Sequence, residues 1–227
     1  MKIILGMLGL CWALAGGAQA PDAEWAALNA QTVALYREGQ IAKATASAEK
    51  ALAVAETAPG PDKRGLATSL SMLAHLYFAQ ARFGGAESLY KRSLAVRQEA
   101  LGPDHLDVAL AHQDLGGVYR VQGKFKAAEF QYQRALFIRQ AALGAGHPDV
   151  ASSLGSLSAL FQLQERYAEA EQAGESALHI REKALGNADP GVAESLDNLA
   201  SIYEKTNRQE QARSLRARAA AIRVAKR

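Results

Sequence analysis

Apolar residues along most of the chain recur at three- and four-residue steps, the spacing of one face of an α-helix. In residues 108–140, Val108, Leu115, Val118, Tyr119 and Gln122 run along one helix. Gly123-Lys124 makes a tight turn, and Phe125 through Arg139 forms a second helix on which Ala128, Phe130/Tyr132, Ala135, Leu136 and Ile138 recur. Gly, Pro, Asp and His fill the connections, as stop and start signals do. Asp107 and Asp149 stand at the first turns of new helices, where a carboxylate suits the positive dipole end. The pattern predicts amphipathic helices in pairs.

The pairs repeat. Leu101-Gly102, Leu143-Gly144 and Leu185-Gly186 are 42 residues apart, as are Val108-Ala109, Val150-Ala151 and Val192-Ala193. The series Tyr77, Tyr119, Phe161, Tyr203 keeps the same step, and so do Ala86, Ala128, Ala170, Ala212 and Arg97, Arg139, Arg181, Arg223. Segments 101–142 and 143–184 agree at 15 of 42 positions without a gap, far more than chance provides. Ala58-Pro59-Gly60-Pro61-Asp62 echoes the connection Ala100-Leu101-Gly102-Pro103-Asp104. Five units follow, near 24–65, 66–107, 108–149, 150–191 and 192–227. Such an array buries its core between neighbours, so a terminal unit needs a polar outer face. The last unit has one: Gln209 replaces Phe83, Phe125 or Tyr167, Arg216 replaces Tyr90 and Tyr132, and Arg213 replaces Glu87, Glu129 and Glu171. The first unit is degenerate too, with Gln31-Thr32 replacing Leu-Gly and Leu35 replacing the aromatic.

Residues 1–20 break the pattern. Met1-Lys2 is positive, Ile3 to Pro21 carries no charge, and Gly16-Gly17-Ala18-Gln19-Ala20 is a small-residue exit. This is the arrangement of a secretory signal peptide. It is short and glycine-rich for a bilayer span, and cleavage after Ala18 or Ala20 is expected, with a retained anchor as the alternative. The remaining domain, 21–227, has no cysteine, since Cys11 is the only one, and its net charge falls from +3 to +2. That suits an oxidising compartment: periplasmic if the source has two membranes, otherwise extracellular.

The units resemble the tetratricopeptide repeat, whose helices carry W-x2-L-G-x2-Y and A-x3-F. The matches read His112-x2-Leu115-Gly116-x2-Tyr119 with Ala128-x3-Tyr132, Leu70-x2-Leu73-Ala74-x2-Tyr77, Leu154-x2-Leu157-Ser158-x2-Phe161 and Leu196-x2-Leu199-Ala200-x2-Tyr203. The 42-residue step, with Gly146-His147-Pro148-Asp149-Val150-Ala151, is similar to the kinesin-light-chain type. The asparagines often found along such grooves would stand at Met72, Asp114, Ser156 and Asn198, where only the last fits. The resemblance implies an all-α, right-handed α-solenoid of about five helix pairs, first helices lining its concave side.

Catalytic motifs are absent: there is no H-E-x-x-H, C-x-x-C, G-x-S-x-G or G-x-G-x-x-G. No catalytic residue, metal or cofactor is expected. His105 and His147 read as helix-start residues, His112 as a packed histidine, and His75 as a groove residue. From Lys205 to Arg227 eight residues are basic and only Glu210 is acidic. This reads as a solvated capping face in preference to a contact with lipid or nucleic acid.

The surface that remains is the groove. The resemblance places there Asn29, Val33 and Tyr36, then Ser71, His75 and Phe78, Gln113, Gly117 and Arg120, Gly155, Ala159 and Gln162, and Asp197, Ser201 and Glu204. A surface running from aromatic through neutral to acidic suits a protein or peptide segment. The function expected is a non-catalytic binding scaffold. The alternatives are a self-associating structural module and an accessory subunit of an envelope enzyme; partner identity and oligomeric state are not legible.

Overall fold

The computed structural model describes residues 23–57 and 63–225. The expected leader and the 58–62 connection lie outside the described residues. Among these residues there are ten α-helices and no strand. They are α1 Ala23–Arg37, α2 Ile41–Thr57, α3 Lys63–Ala79, α4 Phe83–Leu101, α5 Leu106–Val121, α6 Phe125–Leu143, α7 Pro148–Leu163, α8 Tyr167–Leu185, α9 Pro190–Lys205 and α10 Gln209–Ala225. Each packs on the helix before it and the helix after it, an all-α repeat solenoid of five pairs.

The first helices of units two to five begin at Lys63, Leu106, Pro148 and Pro190, two or three residues ahead of the boundaries set by the apolar pattern. The caps explain the shift. His105 Nδ1 and His147 Nδ1 each accept from the N–H two residues on at 3.1 Å, and Asp189 Oδ1 accepts from Gly191 N at 2.8 Å. The helix therefore starts before Val108, Val150 or Val192, its first fully buried residue. Each first helix ends in a left-handed residue at the same place in the unit: Gly39, Ala81, Gly123, Glu165 and Asn207, with φ of 74°, 57°, 72°, 59° and 60°. The following N–H closes a bond to the carbonyl five residues back, as Lys124 N does to Tyr119 O at 2.9 Å, the Schellman arrangement.

The core is the periodic set. Leu73, Leu115, Leu157 and Leu199 are buried, and Ala86, Ala128, Ala170 and Ala212 are small where a second helix crosses its neighbour. On α6 the apolar stripe runs through Tyr132; Phe130, grouped with it by spacing alone, points away and is 57% exposed.

Two polar ties, each repeating every 42 residues, join unit to unit. Buried Arg97, Arg139 and Arg181 donate to the carbonyls of Asp107, Asp149 and Gly191 at 3.0, 3.3 and 3.0 Å, in the first turn of the next unit. Arg139 and Arg181 also donate to Ser153 and Ser195 Oγ at 2.7 and 2.9 Å. In the second tie, Lys124, Arg166 and Arg208 lie over the rings of Tyr119, Phe161 and Tyr203. The same cations pair with Glu87, Glu129 and Glu171 of the preceding unit at 2.8, 2.7 and 2.6 Å. Lys124 and Lys91 hold the Glu87 carboxyl down at about 2.

Candidate groove on the first helices

The first helices meet one another directly. Trp25 Nε1 donates to Ser69 Oγ at 2.7 Å, Gln113 Nε2 to Ser156 Oγ at 2.5 Å and Ser158 Oγ to Asn198 Oδ1 at 2.9 Å. Second helices are bridged by long charged pairs, Arg92–Glu56 and Arg218–Glu182. Successive first helices α7 and α9 also contact along the backbone, in keeping with the expected concave side.

Two of the expected groove residues are not on the surface. Asn29 and Ser71 are 4% and 7% exposed. Asn29 Nδ2 donates to Trp25 O at 2.9 Å, and Ser71 Oγ lies 2.8 Å from Ser93 Oγ. Ser71 is covered by α4, whose Ser93 and Arg97 side chains reach its hydroxyl, and Asn29 turns back onto its own helix; Gln113 and Asp197, at the same repeat position, stay partly exposed. Tyr36, His75, Phe78, Gln113, Arg120, Gln162, Asp197, Ser201 and Glu204 are all partly exposed.

The series Tyr36, Phe78, Arg120, Gln162, Glu204 occupies one position in the five first helices. At its N-terminal end Tyr36 and Phe78 pack on the core, Phe78 edge-on to Phe83 at 5.4 Å. In the middle, Arg120 lies beside the buried Tyr132 side chain, where its charge opposes the rise that burial gives the phenol pKa. Gln162 Nε2 donates to Asn198 Oδ1 at 2.7 Å. At the far end Glu204 accepts from Arg216 Nε at 2.8 Å, and Asp197 pairs with Arg216 and Arg223.

His75 links two units. Its Nδ1 donates to Ser71 O at 2.7 Å, Nε2 is 3.6 Å from Asp114 Oδ1, and the ring meets Tyr90 edge-on at 5.2 Å. Burial alone would depress this imidazole; the Asp114 charge and both hydrogen bonds outweigh it and raise its pKa, with Arg97 opposing. Asp114 sits where the asparagine pattern was sought, so a carboxylate–histidine pair takes that place. His112 is packed: Nδ1 donates to Gln131 Oε1 at 2.5 Å and burial lowers its pKa, keeping the ring neutral.

The basic last helix is drawn into ion pairs. Arg208 holds Glu171, Arg216 holds Asp197 and Glu204, Arg218 holds Glu182 and Arg223 holds Asp197. Sequence reading missed these, since each partner lies in another helix. Among the described residues no group of three or more His, Cys, Asp or Glu could hold a metal, and no helix is long and apolar enough to cross a membrane.

A family model described as tetratricopeptide repeat matches residues 26–99, 73–141, 131–183 and 159–223. No curated protein matches the chain. Among solved structures, BtubC (BKLC) from P. vanneervenii is 27% identical with TM-score 0.78, over 88% of this chain and 79% of that one. A Podosopora anserina kinesin light chain with nearly identical TPR-like repeats is 20% identical with TM-score 0.74, over 91% and 99%. The apo form of RapI is 16% identical with TM-score 0.73, over 88% and 70%. The last two show likeness of fold alone.

Proposed function

Because the chain belongs to the tetratricopeptide repeat family, we propose that it is an exported, non-catalytic scaffold holding a protein or peptide segment in its concave groove. The observation that carries this reading is the graded row Tyr36, Phe78, Arg120, Gln162 and Glu204, partly exposed at one position of successive first helices. Aromatic and arginine side chains dominate binding energy when a partner desolvates them, and both types stand together in units one to three. Export is supported by the positive start, the uncharged run and the small-residue exit of residues 1–20. The mass of the exported protein should accordingly be short by roughly 18–20 residues.

The binding test is affinity capture from the native cell envelope, followed by titration of the captured partner. Phe78→Ala or Arg120→Ala should weaken its affinity by about 1–3 kcal/mol without loss of helicity. Normal binding by both variants rejects the groove. Loss on substitution of Arg216 and Arg218 instead would move the contact to the last helix.

A further inference from the structure

Phe130 and Phe137 leave 57% and 56% of their surface in solvent, on the central second helix α6. Neither ring serves the repeat. The equivalent positions are Ser88 and Ala95 on α4, Gln172 and His179 on α8, and Ser214 and Ala221 on α10. The exposed stripe of α6 reads Lys126, Phe130, Gln133, Phe137, Gln140, alternating steps of four and three like the seam of a paired helix. At the place of Gln133, α4 has Lys91 and α8 has Glu175, so only α6 is neutral at its centre among these three.

Charge selects the occupant. Arg134, beside the stripe, leans on the Phe137 ring at 5.5 Å and is 3.8 Å from Asp104, which offsets it. An acidic partner or an anionic bilayer would find one lysine at one end; a copy of the same stripe meets neutral Gln133 and two rings at its centre, and each Arg134 near the axis keeps Asp104 as its counter-charge. The ends of the array are different. The face of unit one is a shallow recess lined by Gln31, Leu35, Lys43, Ala46, Ser47 and Lys50, and the opposite end carries Arg213. Stacking end on end would set cations against cations.

We propose that α6 is a dimerisation seam, paired antiparallel with α6 of a second copy about a two-fold axis between Gln133 and Arg134. The two rings stand about 5 Å to either side of that midpoint at 1.5 Å rise per residue. The two-fold axis therefore sets Phe130 on Phe137 of the second copy and Phe137 on its Phe130, the reciprocity an isologous interface requires. The four half-exposed rings supply roughly 350–550 Å² of apolar surface, which belongs to a weak, reversible interface. The pairing closes at two copies. It leaves both first-helix layers open, so the particle presents two grooves and gains avidity for a bivalent target.

Sedimentation equilibrium of the full chain across micromolar to submillimolar concentration is the test. A monomer–dimer equilibrium is expected. The double variant Phe130→Gln/Phe137→His, which installs the residues of α8, should raise the dissociation constant about tenfold or more with unchanged helicity. In a Cys11→Ser background, Gln133→Cys should oxidise to a disulfide-linked dimer, since facing helices 8–10 Å apart bring such Cα atoms within reach. A single monomeric species throughout overturns the proposal, and so does a double variant that associates like the parent. A monomer whose two phenylalanines are instead required for flotation with phosphatidylserine vesicles would also overturn it, with lipid as the occupant.

Discussion

Helix α1 buries only Asn29 and Thr32, both polar, whereas α9 buries Val192, Leu196, Leu199 and Ile202. Both are first helices of terminal units, but α1 is the end of the array and packs chiefly on α2, whereas α9 lies between α8 and α10, so place and sequence act together. The same contrast runs through the ties. Ala55 stands where Arg97, Arg139 and Arg181 stand in later units, and Thr45 where Glu87, Glu129 and Glu171 stand. At the first junction a neutral bond stands in for the glutamate tie, Gln80 Nε2 donating to Thr45 Oγ1 at 2.6 Å, while Arg92 still pairs with Glu56 at 2.7 Å. At the other end α10 buries only Ala212, Ala219 and Ile222, yet its arginines are anchored to α8 and α9. Solenoid stability is a sum of unit and junction contributions. A terminal helix can therefore be mostly exposed and still held, or moderately exposed and loose.

The largest test of this contrast is a pair of substitutions at one repeat position. Tyr119→Ala removes a ring only 8% exposed and should destabilise by about 3–5 kcal/mol. Leu35→Ala, its half-buried counterpart in unit one, should cost about 1 kcal/mol. Equal costs in urea denaturation would erase the distinction between the ends.

Next comes the ionic tie. The Glu87 carboxyl is held at about 2, below its ordinary 4.5. Its contribution is therefore complete above pH 4.5 and is lost as pH falls toward 2. Glu87→Gln should cost about 1 kcal/mol at neutral pH, and the gap from the parent should narrow in acid. Thr45→Glu should build the missing tie to Arg82 and strengthen the first junction by a similar or smaller amount.

A smaller effect is expected at His75. Its pKa is raised above 6.5, so the Asp114 pair stabilises fully below pH 6.5 and its help disappears as pH rises through the raised value. The contribution should be about 0.5 kcal/mol for a partly exposed pair. NMR titration should find the imidazole elevated in the parent and lowered in Asp114→Asn; an unchanged midpoint in the variant would remove Asp114 as the cause.

Smallest is the turn. Ala81 has φ of 57° where Gly123 has 72°. Ala81→Gly relieves left-handed strain at some entropic cost, and should raise stability by about 0.5 kcal/mol in thermal denaturation. Gly123→Ala should do the reverse.

The helices were legible because each carries its own apolar stripe and the stripe recurs. Val108, Leu115 and Tyr119 are buried on a spacing visible in one unit. What depended on the distance between helices was not legible. Ser71 shares the helix face of His75 and Phe78, yet Ser93 and Arg97 of α4 cover its hydroxyl. Phe130 and Tyr132 are two residues apart and equally apolar, yet only Tyr132 meets the neighbouring helix. The arginine series was visible as a repeat; its task was not, because the carbonyls it holds lie ten residues downstream, in the next unit's first turn.

Amide hydrogen exchange on the free protein, resolved by helix, tests the contrast between the ends most directly. Local opening free energies follow local burial and tie strength. The account predicts that α1 and α2 exchange first, α9 and α10 later, and α5 to α8 last. Exchange at one common rate along the chain, or exchange that begins at α10, would contradict it.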